Sequence, residues 1–576
     1  MKRAALLEWV RRGGRLVVGI GENAALVESM CRPRPDGSRT DLHGLLPIEL
    51  RGSRQVEKLT LSWSAGATSK SASDISAELG TSRGRFTAAR LAAKSASSGQ
   101  ILIPPRETVA KGNEPIAAQG AYGLVRVTVV GFDLDRAPFL SFPRRAEFWD
   151  WILREGGTNL TSLQSNKPRE FGSTDDEDQF SLAMRMHGDA FEGVPVVSFG
   201  WVAVLIVLYI LLIGPVEYFV LKRVLGRLEL TWITFPIIVL TVSLAAYYSA
   251  YSIKGRDLKI NKLDVVEVDP ASGRVYGTTW CTIFSPRTDT YTIGVTPGEN
   301  WGATEPGTEV SWSGSPRGGR ASLMRRKYSY HSDSGAIADG LDQVPVQVWS
   351  TKSFRANWSS RVDPNAADAL AKSDLYHPVG DRQAVVGSFT LNLPVPLLSD
   401  CVLLYGGQAM PLSGGTIRTG ERVQLVWEKA IPATQWLQKE SRLTEVLARV
   451  KGGAAPAQQA GPAGAAPPTL SSTSLPLLGI LFHEASMQHG EGIVPQNSSL
   501  RRFDQTWRLA ESHRNEVILV GRAVLPVGQG EETLAGPAAA SRLWLKGLPG
   551  TGEREPMPRG STGRQETWVR VYLPVR

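Results

Sequence analysis

Residues Val194–Val216 read VPVVSFGWVAVLIVLYILLIGPV, and residues Leu230–Ile253 read LTWITFPIIVLTVSLAAYYSAYSI. Neither run holds a charged side chain. Each exceeds the roughly 20 residues that a helix needs to cross about 30 Å of hydrocarbon. Only 13 residues separate them, so a transmembrane hairpin is expected rather than two buried core helices. Its helices are placed at 196–220 and 230–253. Trp201, Tyr218, Trp232, Tyr248 and Tyr251 fall towards the helix ends, where amphipathic rings meet a bilayer surface.

The tight connection holds Lys222, Arg223 and Arg227 against Glu229, which favours a cytoplasmic turn. Lys254, Arg256, Lys259 and Lys262 follow the second helix, however, so the positive-inside comparison is balanced. In a hairpin both large flanks lie on one side of the membrane. Glu217 sits just inside the basic end of the first helix, after Gly214-Pro215. An ionisable residue at membrane depth is a candidate functional residue. Near the headgroups its expected partner is Lys222 or Arg223. Gly214-Pro215 predicts a kink.

Outside these runs the chain reads as an ordinary globular protein. Its 576 residues carry 64 basic and 55 acidic side chains, a net charge of +9. That charge is spread thinly, with 26 basic and 23 acidic residues over 1–195. No region is basic enough to argue for nucleic acid. The 58 glycines and 36 prolines favour strands joined by many turns. Three cysteines exclude a disulfide-dense scaffold and any CxxC-based site.

The first region opens MKRAALLEWVRRGG, with Ala4, Leu7 and Val10 at helical spacing and Gly13-Gly14 as a stop. RLVVGI follows as a buried strand, then GIGENAALVESM as a turn and helix. This is an edge of an α/β layer. It opens abruptly and without a signal peptide, so the true start is expected upstream. Gly19, Gly21 and Ala24 spell GxGxxA, formally a dinucleotide fingerprint. No second apolar strand follows at the required distance, so we read a plain strand-to-helix turn and predict no cofactor. KLTLSW, ILIPP and GLVRVTVVGFDL read as further strands, and RRAEFWDWILREGG as a helix burying Phe148, Trp151 and Ile152. STDDEDQF (Asp175, Asp176, Glu177, Asp178) lacks an EF-hand pattern and reads as a solvated loop.

After the hairpin, KINKLDVVEVD, TTWCTIFSP, TYTIGVTP, VPVQVWS, GSFTLNLPVPL, CVLLYGG and RVQLVWEKA are short apolar or alternating runs between turn residues. That spacing predicts a β-sandwich. LTEVLARV reads as a helix. KGGAAPAQQAGPAGAAPPTLSST is a low-complexity linker that cannot bury a core. LPLLGILFHEAS is helical in pattern. EVILVGRAVLP, SRLWLKGLP and ETWVRVYLP then complete the sandwich or form a sheet of their own.

Constellations that carry chemistry are missing. The sequence contains no GxxxxGK[ST], and its GxSxG string, GTSRG at 80–84, is not read as a serine-hydrolase elbow. His483 and His489, flanking Glu484, stand six apart where a zincin helix needs four. The other histidines are scattered, and no metal site is predicted. Cys31, Cys281 and Cys401 have no sequence-adjacent base. Cys281 and Cys401 either pair or remain buried free thiols.

EWVRRGGRLVVGIG, VRVTVVGFDLDRAPF with FWDWIL, LYILLIGPVEYFVLKR, ELTWITFPIIVL and LRRFDQTWRL together resemble bacterial envelope proteins of planctomycete type. These carry a glutamine-amidotransferase-like α/β domain, a membrane hairpin and a β-rich tail. An active amidotransferase has a nucleophilic cysteine at a strand-to-helix elbow, with a histidine and an acid downstream. This sequence has no such elbow, and Cys31 lies in an Arg/Pro context. The resemblance therefore implies a degenerate, non-catalytic domain. Similar domains occur in auxiliary subunits of ABC-type export systems.

The predicted fold class is a multidomain membrane protein. A partial α/β, amidotransferase-like domain covers 1–195 and the hairpin covers 196–253. A β-sandwich-like region covers 254–450, a disordered linker 451–473, and a helix with strands 474–576. The expected role is a membrane-anchored, non-enzymatic interaction or accessory protein of the bacterial envelope. It would sit in the inner membrane, both flanks extracytoplasmic, with the lipid bilayer and membrane proteins as partners. Two alternatives remain at this point: an amidotransferase-like or hydrolytic enzyme whose elbow lies upstream, and a transporter component using the hairpin. No residue is assigned a catalytic, cofactor-binding or metal-binding role, and Glu217 is the single candidate.

Overall fold

The computed structural model describes most of residues 6–10, 16–31, 45–64, 74–80, 84–93, 99–103 and 114–155. It also describes 188–191, 199–254, 258–312, 329–331, 340–362, 369–436, Arg508, 516–525, 538–546 and 562–576. The predicted acidic loop at 175–178, the His483–His489 segment and the linker lie outside the described residues.

The amino-terminal part contains β1 (Leu16–Gly19), α1 (Ala24–Cys31), β2 (Ile48–Val56), β3 (Lys58–Ser64), β4 (Asp74–Gly80) and β5 (Phe86–Ala93). β6 (Gly99–Ile103), β7 (Ala117–Tyr122), β8 (Val125–Val130) and α2 (Arg145–Glu155) follow. One mixed sheet has the order β1-β8-β7-β6, and β2-β5 and β3-β4 form two-stranded ladders. β1 and β8 are parallel. The remaining pairs are antiparallel. Leu7 and Val10 are buried in one apolar cluster, while Phe148, Trp151 and Ile152 are buried in another. The apolar spacing thus identified the packed faces of both segments.

Two helices follow. α3 (Phe199–Leu211) continues through a π turn (Leu212–Val216), an α turn (Glu217–Val220) and a second π turn (Leu221–Leu225). The helix therefore runs past the predicted end at 220, and Lys222 and Arg223 lie in its last turn rather than in the connection. Gly226, at φ +63°, ends it in the left-handed conformation that glycine adopts without penalty. α4 (Thr231–Lys254) returns.

The carboxy-terminal strands are β9 (Lys259–Asp269), β10 (Arg274–Ser285), β11 (Asp289–Pro297), β12 (Thr304–Trp312), β13 (Ser329–His331) and β14 (Gly340–Val346). Next come β15 (Ser350–Arg361), β16 (Ala371–Tyr376), β17 (Val386–Leu391), β18 (Leu397–Tyr405), β19 (Gln408–Pro411) and β20 (Ile417–Arg418). β21 (Arg422–Val426), β22 (Ile431–Pro432), β23 (Glu516–Val524), β24 (Ser541–Lys546) and β25 (Thr562–Pro574) complete the set. A ten-stranded sheet has the order β12-β15-β10-β9-β25-β23-β18-β19-β22, with β20 on β18. It packs against a layer made of β13-β14-β11-β24 and β16-β17-β21. One apolar cluster draws from all three sheets, with Val266 and Val571 from the large one, Ile293 and Leu341 from the second, and Phe389 and Leu425 from the third. This is a sandwich, and its core is the interior of those layers.

The last strands complete this sandwich rather than form a sheet of their own. β25 lies between β9, to which it is parallel, and β23. Val569, Val571 and Leu573 enter the apolar core. Trp568, Arg570 and Tyr572, on the opposite face, are also buried. The alternation in this strand therefore separates two buried environments, one apolar and one polar.

Cys281 and Cys401 are buried free thiols. β10 and β18 are four strand spacings apart in the sheet order, about 19 Å at roughly 4.8 Å per spacing. A disulfide needs Cα atoms within about 7 Å, so the pairing alternative is excluded by the topology.

Candidate functional site

The hairpin carries the one predicted site residue. Its two apolar stretches, Gly200–Leu225 and Leu228–Ser249, are long and apolar enough to cross a membrane. Large apolar side chains on them are uncovered: Trp201 is 73% exposed and Trp232 88%. In a water-soluble protein a surface of this kind would be expected to lie against a core. Glu217 and Leu221 are the exceptions, both buried. They stand four apart, on one helix face, and that face meets the second helix.

Glu217 is held by Thr234, whose hydroxyl donates to Glu217 Oε1 at 2.5 Å. Thr234 Oγ1 also lies 3.2 Å from the Leu230 carbonyl. This corrects the expectation that Lys222 or Arg223 would pair with Glu217. Lys222 and Arg223 lie in the second π turn, beyond Leu221, whereas Thr234 comes from the facing helix. Lys222 instead donates to the Tyr218 hydroxyl at 3.1 Å and lies 5.3 Å from that ring's centre. Pro215 sits inside the π turn, where the widened backbone takes up the missing N–H.

The GxGxxA turn between β1 and α1 is occupied by the protein itself. Gly21 N–H donates to Asp133 Oδ1 at 3.1 Å and Glu22 N–H to Oδ2 at 3.0 Å. Those amides are the ones a pyrophosphate would need at a helix amino terminus. A Cβ at Gly21 would run into the Asp133 carboxylate, and one at Gly19 into Leu134 and the Phe132 carbonyl. The two glycines serve close approach of the loop after β8.

Two polar clusters escaped the sequence reading. The first lies inside the sandwich. Lys262 and Asp264, two apart on β9, have fully buried side chains 3.2 Å apart. Asp264 Oδ1 accepts from Thr279 Oγ1 at 2.6 Å and from Ser541 Oγ at 2.7 Å. Lys262 Nζ reaches the Ser541 carbonyl, and Trp358 Nε1 donates to Thr279 at 3.0 Å. The cluster therefore ties β9, β10 and β15 to β24 across the two layers. Burial drives the Lys262 pKa below its ordinary value, against the opposing pull of Asp264. Burial also pushes the neighbouring Cys281 thiol up to about 12, so it stays protonated and is a poor nucleophile. Cys401 rises to about 12 as well, from burial and the Asp400 charge.

The second cluster lies on the other face of the same sheet. Glu267 on β9 accepts from Arg570 and from the Tyr572 hydroxyl of β25. Arg508 bonds Glu516 at 2.6 Å and stacks its guanidinium 4.1 Å from the Tyr572 ring centre. Two carboxylates meet two guanidinium groups, so the charges cancel. Burial raises the Tyr572 pKa well above its ordinary value, which keeps its proton available to Glu267. Arg508, the described residue of the LRRFDQTWRL segment, is itself buried. The signal for both clusters was present as charged residues inside strong β patterns, at Lys262, Asp264, Glu267 and Arg570. Pairing across strands 300 residues apart cannot be read from one sequence.

No family model matches this chain, and no curated protein does. Among solved structures, similarity is recorded to the yeast delta-COP-I mu-homology domain complexed with a Dsl1 WxWxV peptide. It has a TM-score of 0.22 and 6% identity, covering 56% of this chain and 98% of that one. An M1 zinc metallopeptidase from Deinococcus radiodurans gives a TM-score of 0.14 and 12% identity, covering 31% of this chain and 40% of that one. Likeness at this level carries no argument about activity.

Proposed function

We propose that this chain is a membrane-anchored, non-enzymatic interaction protein of the bacterial envelope. Its hairpin spans the inner membrane and holds a degenerate amidotransferase-like region and a β-sandwich on the extracytoplasmic side. The observation that carries this reading is the pair of uncovered apolar helices leading within five residues into β9, a central strand of the sandwich. Lys262 is buried against Asp264 and so drops out of the positive-inside comparison. That leaves Lys222, Arg223 and Arg227 at the turn equal in number to Lys254, Arg256 and Lys259 after the second helix, so the cytoplasmic turn stays a proposal for topology mapping to decide. The paired clusters and the protonated thiols occupy structural positions, which fits a binding role better than a catalytic one. By analogy with the resembling proteins, the partner is a membrane complex of the ABC-export type.

Alkaline carbonate extraction tests the anchor. The full chain is expected to stay in the membrane pellet, and a Leu208→Arg/Leu240→Arg variant to be released. Release of the unaltered chain overturns the reading. For the accessory role, the detergent-solubilised chain should migrate on a native gel as part of a larger assembly that a foreign two-helix hairpin fails to support. Migration as a lone chain argues against a membrane partner.

A further inference from the structure

We infer that the sandwich makes a second membrane contact, end-on, through the turns at Pro286–Thr288 and Gln347–Trp349, which rest in the phospholipid headgroup layer. The inference depends on the hairpin spanning the bilayer. Both ends of the hairpin are tied to one end of the large sheet. On the carboxy-terminal side only the steps from Lys254 to Lys259 separate α4 from β9, at most about 17 Å of extended chain. On the amino-terminal side the Gly188 carbonyl accepts from Asn261 Nδ2 at 2.9 Å. The Phe191 ring lies 5.7 Å from that of Phe284. Asn261 and Phe284 belong to the same sheet end, because Lys259 pairs with Phe284 and Asn261 with Thr282.

The two turns project beyond that end. Ser285 pairs with Ser350, one position past the last β9–β10 pair. The turns are joined to each other, since Trp349 N–H donates to the Ser285 carbonyl at 2.7 Å and Val348 N–H to Thr288 Oγ1 at 3.0 Å. Their chemistry suits a headgroup layer. Val348 is 37% exposed at the tip and Trp349 is half-buried beside it. Trp is enriched at that depth of a bilayer. Among the described residues, Lys259 and Lys352 pair with Phe284 and Ile283 at this sheet end, and Arg287 and Asp289 flank the first turn. Asp289 lies 2.9 Å from Arg287, and the remaining excess is positive, as phosphate-bearing headgroups require. The far end of the sheet lies the length of β25 away, 13 residues or about 43 Å. There Val379 is fully exposed on the turn after β16, next to the Leu375–Val575 bridge.

The test uses the full chain reconstituted into phosphatidylethanolamine/phosphatidylglycerol vesicles, in a Cys31→Ser background. A fluorophore is placed in turn at Val348→Cys, Val379→Cys and Leu208→Cys, and quenched by lipids carrying a nitroxide on the headgroup or on the acyl chain. The expected result is headgroup quenching at Val348 about threefold above that at Val379, given a headgroup layer only about 5–7 Å thick, with acyl-chain quenching at Leu208. If Val348 is quenched no more than Val379 while Leu208 reports acyl depth, the end-on contact is wrong and the hairpin stands. If Val379 is quenched as strongly as Val348, the sandwich lies flat and the end-on contact is again wrong. If Leu208 is not quenched, the spanning hairpin fails and this inference fails with it.

Discussion

Glu217 shows how one buried hydrogen bond organises the hairpin. At 1.5 Å per residue it lies about 12 Å from Leu225, near the end that carries the basic residues. A polar bond between membrane helices is worth about 0.6–1.7 kcal/mol, whereas an acidic residue at mid-membrane costs roughly 2.5–3.5 kcal/mol. Thr234 alone would not hold Glu217 at mid-bilayer, so its position near the basic end fits the energetics. Thr234→Val should weaken helix pairing by about 1 kcal/mol, read as a rise in the distance between spin labels on the two helices. Glu217→Gln keeps an acceptor and should leave that distance unchanged. If the transporter alternative were right, this same change would abolish transport. At the sandwich thiols, the folded pKa lies near 12 for Cys281 and Cys401, above the roughly 8.5 of an unfolded thiol. Their contribution to stability is therefore complete below about pH 8.5 and is lost as pH rises towards 12. The urea midpoint should fall over that window, and less steeply in Cys281→Ala. In a Cys31→Ser background a thiol reagent at pH 8 should label neither cysteine until the chain unfolds.

At the scale of elements, glycine and tryptophan are used together twice among the described residues. Gly277 on β10 pairs with Trp358 on β15, and Gly294 on β11 with Trp544 on β24. In each case a Cβ on the glycine would run into the indole of its partner. Each glycine leaves the space in which the ring lies, and a strand glycine marks such close approach. Gly277→Ala should cost about 1–3 kcal/mol by overpacking, measured as a lowered denaturant midpoint. The cost should be larger than for Gly420→Ala, beside which the space is open, once the strain of that residue's positive φ is allowed for. The elements themselves were unevenly legible. KINKLDVVEVD and EVILVGRAVLP announce β9 and β23, because apolar and β-branched residues dominate them. STKSFRANWSSR, which is β15, is harder to recognise although Phe354, Ala356 and Trp358 alternate. Its other face is polar, and it is buried by pairing with the neighbouring strand, as in Thr282–Ser353 and Thr278–Asn357. VPVQVWS has the pattern of one strand, whereas it spans the end of β14, a turn and the start of β15. The turn passes through Trp349 at φ +55°, a conformation that sequence rules assign to glycine or asparagine. The candidate site was half legible. Composition marked Glu217, but its partner came from the other helix.

For the molecule as a whole, the sandwich is closed by its own last strand. β25 joins β9 in parallel and β23 antiparallel, so removing residues 562–576 would cut the ten-stranded sheet in two. That truncation should abolish protease resistance of the sandwich. By contrast, a chain divided within the Ala/Gly/Pro-rich 451–473 segment should reassemble when both pieces are produced together, because the break falls where composition supports no core. Recovery of the piece bearing β23–β25 with the membrane-bound piece would show this. The long separation between β9 and β25 also explains why the sequence left two readings of the final strands open. Local pattern marks them as strands, but only assembly places them at the centre. Two helices that cross the membrane and hold this assembly on one side are the central proposal. Reporter fusions at residue 190, at Gly226 and after residue 260 test it most directly. The account expects an extracytoplasmic signal at 190 and 260 and a cytoplasmic signal at Gly226. A cytoplasmic signal from both outer fusions would contradict the placement of the flanks, and the same signal at all three positions would contradict the hairpin.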